Sequence, residues 1–148
     1  MKARMVSVPV AVPPLDVITL NTRAHWSANH RAVAALRLRG GWAARAMRVP
    51  EMQRADLTVW VVYPARVNRR RDVSNYLGTV KPLLDGMVDV GILPDDDDRH
   101  LTGPDLRPYV GGAIDDLDDL VAAYLAADLA RPGSWLGFVF RFYGPVWS

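Results

Sequence analysis

The stretch that most constrains the fold is ADLTVWVVY, residues 55–63. Dense in β-branched and aromatic residues, it suits a pleated, packed surface and predicts a strand. Its partners must come from the other β-like segments. Residues 5–12 form one such segment, ended by Pro13-Pro14, which force an extended exit. SWLGFVFRFY, residues 134–143, forms another, with Phe138, Phe140 and Phe142 on one face. A shorter strand is expected near Leu101, before Gly103-Pro104.

Helical patterns separate these strands. From Ser27 onward Val33, Leu36, Gly40, Ala43 and Met47 recur at spacings of three and four, which predicts a helix capped by Ser27 or Asn29. Gly40-Gly41 predict a break or kink within it, since each glycine costs about 1 kcal/mol in a helix interior. A second helix is expected from an N-cap at Thr79, leaving residues 75–78 as a loop and Pro82 in the first turn. Leu83, Leu84, Met87 and Val88 would face the core, and Gly91 would end the helix. Ile114, Leu117, Val121, Tyr124 and Leu125 predict a third helix over 114–130, before Pro132-Gly133. Asp115, Asp116, Asp118 and Asp119 fall in its first turns, where the helix dipole favours negative charge.

With 148 residues the chain is long enough for one domain with a core and short for two. No uncharged apolar stretch approaches the roughly 20 residues that a membrane-spanning helix needs. Lys2 and Arg4 precede an apolar run, but Pro9, Pro13 and Pro14 interrupt it, so a first strand is expected rather than a leader. There is no cysteine, which excludes disulfides, thiolate nucleophiles and Cys-based zinc sites, and a cytoplasmic location is expected. The net charge of +2 conceals a division along the chain. Residues 1–71 hold 13 Lys and Arg against 3 acidic residues, and residues 72–148 hold 5 against 13. The two halves could pair internally, or the basic half could face phosphate.

The chemistry concentrates in residues 69–98, RRRDVSNYLGTVKPLLDGMVDVGILPDDDD. Arg69, Arg70 and Arg71 run into Asp72, Asn75 follows, Lys81 and Asp85 stand one helical turn apart, and Asp95–Asp98 close the segment. Clustered carboxylates bind Mg²⁺ through oxygen while leaving positions for water and phosphate. A nearby lysine can neutralise charge that develops at phosphorus, and arginines can hold neighbouring phosphates. Each residue also has a plainer reading. Asp72 could answer the arginines before it, Lys81 and Asp85 could be an ordinary i,i+4 pair, and an aspartate run in a turn is usually solvated surface. Arg31, Arg37, Arg39, Arg45 and Arg48 ride on the first helix as a solvated or DNA-facing edge, and LNTRAHW, residues 20–26, reads as a loop. His25, His30 and His100 lack the spacing of metal ligands and read as substrate contacts or ordinary polar residues.

The same segment resembles the signature of the RusA-type Holliday junction resolvases. That family carries an R-D-x-D-N element, a K-(P/A)-x-x-D helix and a following acidic pair. Here these align with Arg71-Asp72, Asn75, Lys81-Pro82, Asp85 and Asp95-Asp96. LNTRAHW with the arginine-rich helix is similar to the family's amino-terminal region, and GPDLR, residues 103–107, to its later part. Ser74 departs from the pattern by replacing the second acid, and the step from asparagine to lysine is longer.

The resemblance implies a small α/β (α+β) fold, a mixed sheet packed with helices in a single domain. It implies a Mg²⁺-dependent endodeoxyribonuclease, with Mn²⁺ as a substitute, that works as a homodimer and nicks four-way junctions or other branched DNA. Asp72, Lys81, Asp85 and Asp96 would be catalytic, with Asp72, Asp85, Asp95 and Asp96 around the metal. Arg23, His25, Arg31, Arg37, Arg69, Arg70, Arg71 and Asn75 would contact DNA. A structure-selective DNA-binding protein that has lost cleavage through Ser74 is the alternative, and a protein-interaction module a third.

Overall fold

A computed structural model describes residues 2–19, 26–63, 72–109, 122, 123, 126 and 135–146, with the side chains of 26–28 excepted. The elements in chain order are β1 (Lys2–Val12), α1 (Trp26–Ala46), β2 (Ala55–Val62), α2 (Leu77–Asp89), β3 (Leu101–Pro108) and β4 (Leu136–Val146). The strands form one mixed sheet in the order β1-β4-β2-β3. β4 is antiparallel to both β1 and β2, whereas β3 runs parallel to β2. The parallel pair is joined through α2, the crossover that parallel strands require. The expected α+β architecture is the one observed.

Strand alternation builds the core. Phe138, Phe140 and Phe142 are fully buried on one face of β4, opposite Val10, Val8 and Val6 of β1 and Val61, Val59 and Leu57 of β2. Leu36 of α1 and Leu83, Leu84 and Met87 of α2 join the same buried cluster. Three of the four residues assigned to the core side of the second helix are thus completely covered, and Val88 packs at its edge.

Where α1 and α2 pack together, the structure corrects two expectations. Gly40-Gly41 do not break α1, which runs 21 residues without interruption. They are there for close approach: a Cβ on Gly40 would lie 2.0 Å from Leu83 O, and one on Gly86 would lie 1.8 Å from Arg37 O. Two helix backbones in direct contact leave no room for any side chain larger than hydrogen. This contact also rotates α1 from its anticipated face, burying Ala32 and Ala44 while Val33 stays 38% exposed.

The second correction concerns where α2 begins. Residues 75–78 are not a loop. Val73–Tyr76 form a 3-10 turn that passes directly into α2 at Leu77. Asp72, rather than Thr79, caps this unit, by accepting a hydrogen bond from Ser74 N at 3.0 Å. Pro82 consequently falls inside the helix rather than in its first turn. Thr79 is drawn into the interior instead. Its hydroxyl donates to Ile18 O at 2.6 Å and accepts from Ile18 N at 2.8 Å, so a residue that looks like a cap is a buried cross-chain tie.

The sequence-expected third helix over 114–130 falls almost wholly outside the described residues. Among the described residues no helix is long and apolar enough to cross a membrane.

Candidate functional site

The segment singled out by sequence folds into three consecutive pieces: the turn after Asp72, the helix α2, and the irregular loop that carries Asp95–Asp98 back to β3. Lys81 stands on the exposed side of α2, opposite the face that holds Leu83 and Leu84. Its ammonium donates to Asp85 Oδ1 at 3.0 Å, across one helical turn, and also to Asp96 Oδ2 in the loop. One cation therefore sits between two carboxylates that are 15 and 4 residues from it in sequence. Half of the Lys81 side chain is exposed, as is about a third of that of Asp85 and a quarter of that of Asp96, so the cluster is open to a large ligand.

Neighbouring contacts hold the loop. Asp95 Oδ1 accepts from Asp96 N at 2.7 Å, which fixes the turn that presents Asp96. Asp97 accepts from Arg99 N at 3.0 Å and from Arg99 Nη2 at 2.7 Å. Hydrogen bonds from the Arg99 side chain hold the Asp97 carboxyl below the usual carboxylate range. Asp72 is shifted the same way, chiefly by the side chain of Ser74 and then by its backbone N–H. Both carboxylates thus carry full charge well into mild acid.

The anticipated metal set is assembled in part. Asp85 and Asp96 converge on one cation, while no group of three or more acidic or histidine side chains able to hold a metal forms among the described residues. Asp72 and Asp95 have hydrogen-bonding duties of their own, at the turn before α2 and within the loop. Mg²⁺ commonly takes one or two carboxylates and completes its shell with water and substrate phosphate. The hard oxygen donors of Asp85 and Asp96 suit that mode, and the Lys81 ammonium between them already marks a position favourable to positive charge.

Of the residues expected on DNA, Arg23, His25, Arg69, Arg70 and Arg71 lie outside the described residues. Arg31 is exposed on α1, and the backbone of Asn75 donates to Asp72 O at 3.1 Å within the 3-10 turn. Arg37 has a different commitment. It grips Asp89 of α2 through two parallel bonds, Nε to Oδ2 at 2.5 Å and Nη2 to Oδ1 at 2.8 Å. This fork lowers the Asp89 pKa and raises that of Arg37. Arg39 lies with its guanidinium carbon 5.5 Å from the centroid of the Trp135 ring and its Nη2 3.9 Å from Asp16 Oδ2. The helix-1 arginines thus divide into inter-element ties and exposed cations. Asp89 stands one helical turn beyond Asp85, but nothing local in the sequence names Arg37 as its partner.

No protein-family model and no curated protein matches this chain.

Proposed function

We propose that the chain is a metal-dependent endodeoxyribonuclease of the RusA type, acting on four-way junctions or other branched DNA. The observation that supports this reading best is the Lys81 ammonium placed between Asp85 and Asp96. Lys81 and Asp85 belong to the helix element of the motif that carried the resemblance and Asp96 to its later acidic pair, and the three meet at one exposed point. Asp85 and Asp96, with Asp72, would hold Mg²⁺. The metal, when bound, supplies an activated water and a Lewis acid for the phosphoryl oxygen.

The protein's own groups do the rest. In the free protein Lys81 offsets the mutual repulsion of two carboxylates. With DNA bound, its flexible four-carbon stem can carry the ammonium to the scissile phosphate, where it offsets the charge that builds as the attacking oxygen bonds to phosphorus. Exposed cations such as Arg31, together with Arg69, Arg70 and Arg71, would hold flanking phosphates, giving an affinity that falls steeply with salt. Paired nicks across a junction require two such sites, and a homodimer would supply them.

A second reading has one observation in its favour. The Asp72 carboxylate is engaged with Ser74, the residue that replaces the family's second acid, which suits a protein that binds branched DNA without cutting it. Variants separate the two. Asp72→Asn and Asp96→Asn should each abolish nicking of a synthetic junction while leaving its binding intact or tighter, because a negative charge facing phosphate has been removed. Unchanged nicking in both would reject Asp72 and Asp96 as the catalytic carboxylates, and no nicking by the wild type would reject the nuclease reading. Ser74→Asp should raise the rate if the wild-type site is competent but weak.

A further inference from the structure

A second concave site lies where β2 and β3 begin and β4 ends. Its volume is about 470 Å³, within the range of small-molecule sites, and it lies outside the Lys81 cluster. Tyr143 forms one wall with its ring half exposed, an unusual position for an aromatic residue on a strand whose neighbours Phe140 and Phe142 are fully buried. Arg54 lines the cavity and has no carboxylate partner among the described residues. Arg99 enters from the loop after α2, tied on one side to Asp97 while its side chain remains 81% exposed. Asp56 and Asp98 complete the charged lining.

The walls are held by the backbone. Ala55 N donates to His100 O at 2.8 Å, His100 Nδ1 donates to Gln53 O at 3.0 Å, and Gln53 N donates to Pro145 O at 3.3 Å. Gly144 permits this crossing, because a Cβ there would lie 2.1 Å from Arg54 O. The carbonyl of the Arg54–Ala55 peptide is thereby pressed onto β4, one residue beyond Tyr143, so cation and ring are set on a common rigid frame.

The lining narrows the ligand. Two carboxylates beside two guanidiniums balance in charge, which disfavours a bare anion. A ligand with an anionic end, a flat ring and hydrogen-bond donors meets all three kinds of group. Phosphate pairs with Arg54 and Arg99, the ring stacks on Tyr143, and base N–H groups donate to Asp56 or Asp98. We propose that this cavity binds one unpaired nucleotide, with its phosphate on Arg54 and its base on Tyr143. The inference rests on the nucleic-acid reading above and adds a location for a single-stranded part of the substrate. The loop connecting the two sites is short, since Asp96 contacts Lys81 and Asp98 lines the cavity.

The test is equilibrium binding of a fluorescently labelled single-stranded DNA hexamer to the full chain in EDTA, by anisotropy. Stacking of one base is worth about 1–3 kcal/mol, so Tyr143→Leu should weaken binding roughly 5- to 150-fold while Tyr143→Phe retains it. Arg54→Gln should weaken it similarly, with Arg54→Lys recovering part of the loss. Both side chains are exposed, and an unchanged melting temperature verifies the fold. A mononucleotide should compete with the hexamer, whereas inorganic phosphate at the same concentration should not. Equal competition by phosphate, no hexamer binding by the wild type, or binding indifferent to Tyr143→Leu and Arg54→Gln would each overturn the proposal. A junction-nicking assay run in parallel keeps the two readings apart. Absent nicking with Tyr143- and Arg54-dependent hexamer binding rejects the nuclease and supports the nucleotide site.

Discussion

Gly86→Ala tests how closely α2, and with it the Lys81 cluster, is held against α1. The added methyl would meet Arg37 O at 1.8 Å, Arg37 C at 2.7 Å and Gly41 N at 3.0 Å. All three are backbone atoms of α1, so no side-chain rotation relieves the clash. Ordinary contact begins near 3.4 Å, which requires the helices to part by about 1.6 Å at this point. Overpacking of this kind costs about 1–3 kcal/mol and more when backbone must move. The better helix propensity of alanine returns at most about 1 kcal/mol. A net loss of about 2 kcal/mol follows, equivalent to a fall of roughly 4–8 °C in melting temperature for a domain of this size. Gly40→Ala, with a methyl 2.0 Å from Leu83 O, should behave alike. Because either methyl forces the same separation, the double variant should lose less than the sum of the two. Gly41→Ala, whose nearest neighbours are at 3.2 Å, should come out near neutral. Urea denaturation followed by circular dichroism provides the numbers. A Gly86→Ala protein as stable as wild type, or additive losses in the double variant, would refute the backbone-contact account.

Other consequences can be checked more briefly. Lys81→Met should lower the rate of junction nicking by at least about 100-fold, with a change in melting temperature of no more than about 3 °C, since the ion pairs it loses are exposed. Thr79→Val should lower stability by about 1–3 kcal/mol in urea denaturation, because both Ile18 backbone groups lose their partner in a partly buried setting. The Arg37–Asp89 fork has a defined pH dependence. The folded-state pKa of Asp89 lies below its ordinary value of 3.8, so the stabilisation is present in full above that value and is lost as pH falls through the depressed one. The melting-temperature gap between wild type and Asp89→Asn should therefore be constant near neutrality and close in acid; a gap that widens in acid contradicts the assignment.

The strands were legible because their signals are local. Alternation in GFVFRF puts three phenylalanines on one face, and ADLTVWVVY is too rich in branched and aromatic residues to suit an exposed helix. The start of α2 was misread because Thr79 has the chemistry of a cap, and its alternative partner, Ile18, lies 61 residues away. The glycines of α1 were misread for the same reason: their meaning depends on Gly86 and Leu83 of another helix. In the site, the i,i+4 pairing of Lys81 and Asp85 follows from helix periodicity, whereas the closure of Asp96 onto Lys81 depends on a loop path that spacing does not determine. The cavity around Tyr143 and Arg54 left no sequence signal as a unit, since its residues come from four strands and the segments between them. Asp98 stands out in the sequence only as part of the aspartate run and His100 only as a polar residue, and the His100 ring ties the cavity wall.

The account stands or falls most directly on cleavage of a synthetic four-way junction, presented beside linear duplex and a flap, with Mg²⁺ and then with EDTA. Symmetric nicks in the junction are expected, abolished by EDTA and by Asp96→Asn. Junction binding with no nicks under Mg²⁺ or Mn²⁺, even after Ser74→Asp, would contradict the enzymatic claim, and absence of binding at low salt would contradict the resemblance itself.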